Sequence, residues 1–145
     1  MNTYFTQQSD WFHGTDRHTV IKLANAGILV TSGGGELGQG FYVGDKQREA
    51  KRWAANKHNS STVLQVTILD SDFFSLALNA LSHHHAVVLR ARLRKTGATR
   101  SYISGSDAIW SPIVGKTGLN ADQVKFESSR SEVLLNGRSV TRMVV

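Results

Sequence analysis

Cysteine is absent from the 145 residues, proline occurs once, and acidic residues are outnumbered 17 to 11 by lysine and arginine. Without cysteine there can be no disulfide scaffold, no thiolate zinc site and no cysteine nucleophile, although the compartment stays open. A single proline excludes polyproline linkers. No apolar run approaches the roughly 20 residues that a membrane helix needs, so no membrane partner is expected. The stretch from Met1 to Asp10 is polar and lacks the apolar segment of a signal peptide. Export, if it occurs, is therefore expected to depend on another segment or a separate machine.

What is present suits a folded domain. Hydrophobic residues make up 40% and charged residues 19%, an ordinary globular balance rather than a disordered one. The length suits one domain, residues 1–145, around one core. The formal charge of +6 and a pI near 10.0 favour phosphates and acidic partners but specify none of them.

No internal repeat or low-complexity block interrupts the chain. Asp10 to Thr15 is short and aromatic and predicts a strand. Thr15 and Asp16 then supply cap chemistry for a helix bearing Val20, Ile21, Leu23 and Ala24 and stopping at Gly27. A glycine-rich loop, Gly33-Gly34-Gly35-Glu36-Leu37-Gly38-Gln39-Gly40, leads into a short strand, Phe41-Tyr42-Val43. Asp45 is expected to cap a second helix running to about Lys57, with Ala50, Trp53 and Ala54 turned inward and Lys46, Arg48, Lys51, Arg52 and Lys57 elsewhere.

Thr62 to Leu69 alternates imperfectly, because Val63 and Leu64 are adjacent, yet its β-branched content predicts a strand. Helices are expected over Phe73–Leu81 and Ala86–Lys95, the second carrying Arg90, Arg92, Arg94 and Lys95. Asp107 to Trp110 enters a strand. Gln123 to Glu127 alternates cleanly, setting Val124 and Phe126 on the core face and Gln123, Lys125 and Glu127 on the other. A short helix from Ser131 to Leu135 stops at Gly137, and Val140 to Val145 closes as a strand. Strands and helices in irregular alternation define an α+β fold.

Three motifs are decoys. Gly33-x-Gly35-x-x-Gly38 matches the dinucleotide fingerprint, but a strand follows it where that fingerprint needs a helix N-terminus. Gly115-Lys116-Thr117 resembles the end of a phosphate-binding loop whose first glycine would fall on Trp110. His83-His84-His85 invites a metal reading, yet successive helical residues point about 100° apart and zinc helices use an i, i+4 pair. A solvated helix start is the simpler reading, and no metal is expected.

The informative pieces are Trp11-Phe12-His13-Gly14-Thr15, Gly38-Gln39-Gly40-Phe41-Tyr42-Val43 and Ala50-Lys51-Arg52-Trp53-Ala54. Taken singly, each has a structural explanation. Their order, from Trp11 to Trp53, resembles the NAD-binding half of the ADP-ribosyltransferases of the diphtheria-toxin and poly(ADP-ribose)-polymerase type. The resemblance implies a split β-sheet core with flanking helices and NAD as the substrate. It implies that His13 holds the adenosine ribose, that Gly14, with Thr15 completing the motif, contacts the nicotinamide amide, and that Tyr42 and Trp53 sandwich the nicotinamide ring. Trp53 replaces the family's usual tyrosine but keeps a flat π-face.

The family's third signature residue is a glutamate on a late strand before a helix. Here the spacing to Leu134 suits Gln123, and Glu127 is the rival on the same face. Cleaving the nicotinamide–ribose bond builds positive charge on the ribose, so the protein must mainly position and stabilise. A glutamine accepts a hydroxyl's hydrogen bond but is no base.

The resemblance therefore implies mono-ADP-ribosyl transfer by a toxin or effector domain acting in a target cytoplasm. The basic helices make RNA or DNA a reasonable acceptor, a protein side chain is another, and a toxin would imply an acidic immunity protein. Two other readings stay open: NAD hydrolysis with water as acceptor, and a non-catalytic NAD- or nucleic-acid-binding module.

Overall fold

The computed structural model describes residues 7–115 and 120–145. Among them lie seven strands and five helices, in the order β1 (Gln8–Gly14), α1 (Arg17–Asn25), β2 (Phe41–Gly44), α2 (Gln47–His58), β3 (Val63–Leu69), α3 (Asp70–Phe73), β4 (Leu78–Ala80), α4 (His83–Thr96), β5 (Ala108–Pro112), β6 (Asp122–Phe126), α5 (Ser129–Leu135) and β7 (Thr141–Val144). The chain is α+β, as its pattern predicts. Its described residues gather into two compact units.

The first unit takes the chain through Ile28, Val43–Ser75 and Val133–Val145. Strand β1 lies antiparallel to β3 along its whole length, from Gln8 opposite Leu69 to Gly14 opposite Val63. β7 pairs antiparallel with β3, and Phe12 of β1 faces Gly44 at the end of β2. Leu64, Val66 and Ile68 alternate on one face of β3, while Val63 is buried on the other. Both faces are therefore covered at the start of the strand, which is why its alternation breaks there.

Asp16 caps α1 by accepting hydrogen bonds from Thr19 N (2.9 Å) and Thr19 Oγ1 (2.7 Å). The chain leaves that helix through Gly27 at φ +122°, where a Cβ would lie 2.9 Å from Asn136 Oδ1. The Asn136 amide then imitates a strand partner. Its Oδ1 accepts from Ile28 N at 2.7 Å and its Nδ2 donates to Ile28 O at 2.9 Å. Arg142 of β7 donates to Leu23 O at 3.1 Å and Leu135 O at 2.8 Å, satisfying carbonyls in the last turns of α1 and α5.

The second unit comprises Leu29–Tyr42 and Leu76–Glu132. β4 runs parallel to β5, and β5 pairs antiparallel with β6 from Ala108 opposite Phe126 to Pro112 opposite Asp122. Ser82 caps α4 by accepting from His85 N at 3.2 Å, and Gly97 at φ +69° ends it. His83, His84 and His85 form its exposed first turn. Ala86, Leu89 and Leu93 are buried, and Leu89 and Leu93 join Leu37 and Ile109 in the core.

Two local expectations are corrected. The helix expected over Phe73–Leu81 is only the single turn α3, followed by β4. Asp107 overrides helical propensity there, accepting from Ala77 N through Oδ2 at 2.7 Å and donating its own N–H to Ala77 O at 2.9 Å. The cap position of α2 is Lys46 rather than Asp45, and no side chain caps it.

Replacing Asn136 with alanine would leave the Ile28 amide and carbonyl without their side-chain partner. A loss of about 1–3 kcal/mol in denaturant titrations is expected. An unchanged midpoint would show that water takes over both bonds.

Candidate functional site

In the first unit, His13 and Gly14 close β1 and Thr15 begins the turn into α1, all three half-buried. Gly14 sits flush against α2. A Cβ there would strike the Ala50 carbonyl oxygen and lie 3.4 Å from Ala54 N. Only glycine lets that strand end and helix approach so closely. Ala54 is fully buried beneath the helix, whereas Trp53 is 55% exposed, correcting the expectation that it turns inward. Ala50 and Ala54, four residues apart, share the packed face; Trp53 projects about 80° from its centre. Its ring lies 5.4 Å from Lys57 Nζ. The strand end bearing His13 therefore adjoins a helix that carries an exposed indole.

In the second unit the glycine-rich loop is tightly held. Gly35 N donates to Thr99 O at 3.0 Å, Gln39 N to Tyr102 O at 2.9 Å and Gly40 N to Gly33 O at 3.2 Å. The Tyr42 hydroxyl accepts from Leu37 N at 2.9 Å and donates to Gly38 O at 2.5 Å. Burial pushes the phenol far above its usual value, so it stays protonated and keeps that donation. A Cβ on Gly35 would come within 2.9 Å of the Tyr42 ring, so the loop backbone lies against that ring. Tyr42 thus ties the loop to the Leu37–Leu89–Leu93–Ile109 core.

Gln123 and Glu127, the rivals for the third signature position, occupy different environments. Gln123 is 8% exposed, and its Nε2 donates to Glu36 Oε2 at 2.9 Å. Glu36 also accepts from Val114 N at 3.4 Å and lies 3.5 Å from Arg90 Nε. The sequence gives Glu36 no role. The available signal was a lone carboxylate inside a glycine loop, where a fixed backbone fixes the side chain too. Gln123 and Glu36 lie beside an open pocket of about 340 Å³ lined by Gly34, Gly35, Glu36, Arg90, Arg94, Thr99 and Arg100.

Glu127 lies in a buried ion pair with Lys125 Nζ. Its Oε1 also accepts from Ser104 N (2.9 Å), Ser104 Oγ (2.6 Å) and Gly105 N (2.9 Å). Burial alone would raise its carboxyl, but the bonds from Lys125 and Ser104 outweigh it and hold the group below the ordinary value. Lys125 is driven down by burial, only partly opposed by Glu127. The face of β6 opposite Val124 and Phe126 is therefore also buried.

Among the described residues, no group of histidines and carboxylates is arranged to hold a metal, and no helix is long and apolar enough to cross a membrane. Lys116 and Thr117 of the apparent phosphate-loop motif lie outside the described residues. Compared with models of known protein families, the chain matches none, and no curated protein is significantly similar to it.

The ion pair predicts an acid limb in stability. Glu127 and Asp107 are both held below their ordinary carboxyl values, Asp107 against its burial by bonds from Ala77 and Ser128. Their contribution is complete above the unfolded-state values and is lost as pH falls through the folded ones, below about pH 4. Glu127→Gln leaves Lys125 without its counter-ion and should cost about 3–5 kcal/mol at neutral pH. It should also flatten the acid limb in denaturant titrations. Parallel pH profiles for both proteins would exclude this role.

Proposed function

We propose that the chain is an ADP-ribosyltransferase of the diphtheria-toxin and poly(ADP-ribose)-polymerase type, with that family's split-sheet architecture, transferring ADP-ribose from NAD to a macromolecule as a toxin or effector. The observation that carries this reading is the seating of Gly14 against α2, beside His13 and on a helix bearing the exposed Trp53. A strand end of the His-Gly-Thr type next to an accessible flat ring suits a nicotinamide mononucleotide moiety. His13, Gly14 and Thr15 are assigned to NAD, and Trp53 to stacking on its nicotinamide. Tyr42 is assigned as a positioning residue, because its hydroxyl already holds Leu37 and Gly38.

The reaction breaks the bond between the ribose anomeric carbon and the nicotinamide nitrogen, and nicotinamide leaves with the electron pair. The acceptor's oxygen or nitrogen forms the new bond to that carbon and gives up a proton. Gln123 is assigned to accept a hydrogen bond from a ribose hydroxyl. Since an amide takes up no proton, Glu36, held against Gln123, is assigned to receive the acceptor's proton. Glu127, held by Lys125, Ser104 and Gly105 with only 2% of its side chain exposed against 21% for Glu36, is assigned a structural role.

One observation favours a second reading, a non-catalytic NAD- or nucleic-acid-binding module. It is the engagement of Tyr42 with the loop, where the family uses a stacking platform.

Incubation with adenine-labelled NAD and separate pools of cell protein, RNA and DNA tests both readings. Label is expected in one pool, with turnover reduced about 10²–10³-fold by His13→Ala and by Gln123→Ala. NAD consumed without a labelled pool would make the chain a hydrolase. NAD left intact in every pool would sink the enzyme reading.

A further inference from the structure

We propose that the arginine-lined pocket of the second unit seats a phosphate group of a nucleic-acid strand. This stands apart from the NAD reading, since a binding module would use the pocket equally.

The pocket gathers Arg90, Arg94 and Arg100 around one carboxylate, Glu36. Arg90 is the one paired with it, at 3.5 Å. Among the described residues, no carboxylate lies within ion-pair distance of Arg94 or Arg100. Guanidiniums drawn together around a cavity repel one another, and the single Glu36 carboxylate offsets only part of that repulsion. An anion in the cavity reverses the balance.

The walls are built rather than incidental. Arg90 and Arg94, four residues apart on α4, share a helix flank next to the buried Leu89 and Leu93. Arg100 donates from Nη2 to Ser32 O at 3.1 Å, which sets its guanidinium beside the glycine loop. A Cβ at Gly34 would come within 2.7 Å of both Arg100 Cγ and Thr99 O, so loop and arginine stem are in direct contact. Guanidinium forks match phosphate oxygens in pairs.

Charge and openness favour a strand over a small anion. The pocket is open, Lys95 follows Arg94 as another exposed cation, and the chain as a whole carries +6. A polymer of phosphates can place one group in the pocket and its neighbours along that basic surface.

The test is fluorescence anisotropy with a labelled single-stranded RNA oligonucleotide, titrated between about 50 and 200 mM salt. Arg94→Gln and Arg100→Gln should each weaken binding about tenfold and each lower the salt slope by about one. Arg138→Gln, an exposed arginine of the first unit with the same charge change, should shift affinity less than about twofold. Inorganic pyrophosphate should compete for the oligonucleotide in the wild type. The Arg94 side chain makes no described hydrogen bond, so Arg94→Gln tests the site even if Arg100→Gln disturbs the loop. Equal effects from all three variants would overturn the proposal, as would displacement of RNA by polyglutamate at the same charge concentration. A raised KM for NAD with RNA binding unchanged would assign the pocket to the dinucleotide and overturn it too.

Discussion

A lysine ammonium with no exposed surface must be matched by a counter-ion, and the second unit is organised around that requirement. Lys125 sits in β6 with its head on Glu127 and 5.6 Å from the Tyr102 ring. Its stem occupies the space beside Gly40, where a Cβ would meet Lys125 Cγ and Cδ. Glu127 in turn collects Ser104 and Gly105, ordering the turn that precedes β5. Desolvating two charges is expensive unless their remaining hydrogen-bonding capacity is also filled. Here the carboxylate is filled by backbone and hydroxyl donors. The lysine stem and the Phe126 carbonyl oxygen together admit only glycine at 40 and so help define the path of the loop from 33 to 40.

That loop links the buried charges to the surface. Tyr102 accepts Gln39 through its carbonyl, and Tyr42 fastens Leu37 and Gly38. With the backbone held on both sides of residue 36, the Glu36 carboxylate is delivered to Gln123 and Arg90. A flexible glycine segment would not do this; the glycines serve close approach more than mobility.

Much of the fold was legible where local signals and tertiary demands agree. The Asp16 cap, the stop at Gly27, the strand of Gln123 to Phe126 and the helix over Ala86 to Lys95 all show this agreement. The segment after Phe73 was not legible, because its decisive bonds come from Asp107, thirty residues on. Lys125 was misleading for a similar reason: period 2 separates faces but cannot say that both are covered. The candidate residues divide in the same way. His13, Gly14 and Tyr42 stand out as sequence motifs, whereas Glu36 acquires meaning only through partners 54 and 87 positions away, Arg90 and Gln123.

The glutamine at 123 becomes intelligible beside Glu36. A glutamate there would place two carboxylates about 3 Å apart, and like charges so close force one to hold a proton or move away. An amide removes the conflict, because its NH₂ donates to Glu36 while its carbonyl keeps the acceptor function. Within the proposed chemistry, two tasks are then divided between two residues. Gln123 orients the ribose and Glu36 carries the negative charge. Arg90 ties that carboxylate to the wall of the arginine pocket, so the group assigned to the acceptor's proton also borders the surface assigned to a strand's phosphates. On that division, an amide rather than a second carboxylate suits position 123, because of the carboxylate the glycine loop has already put beside it.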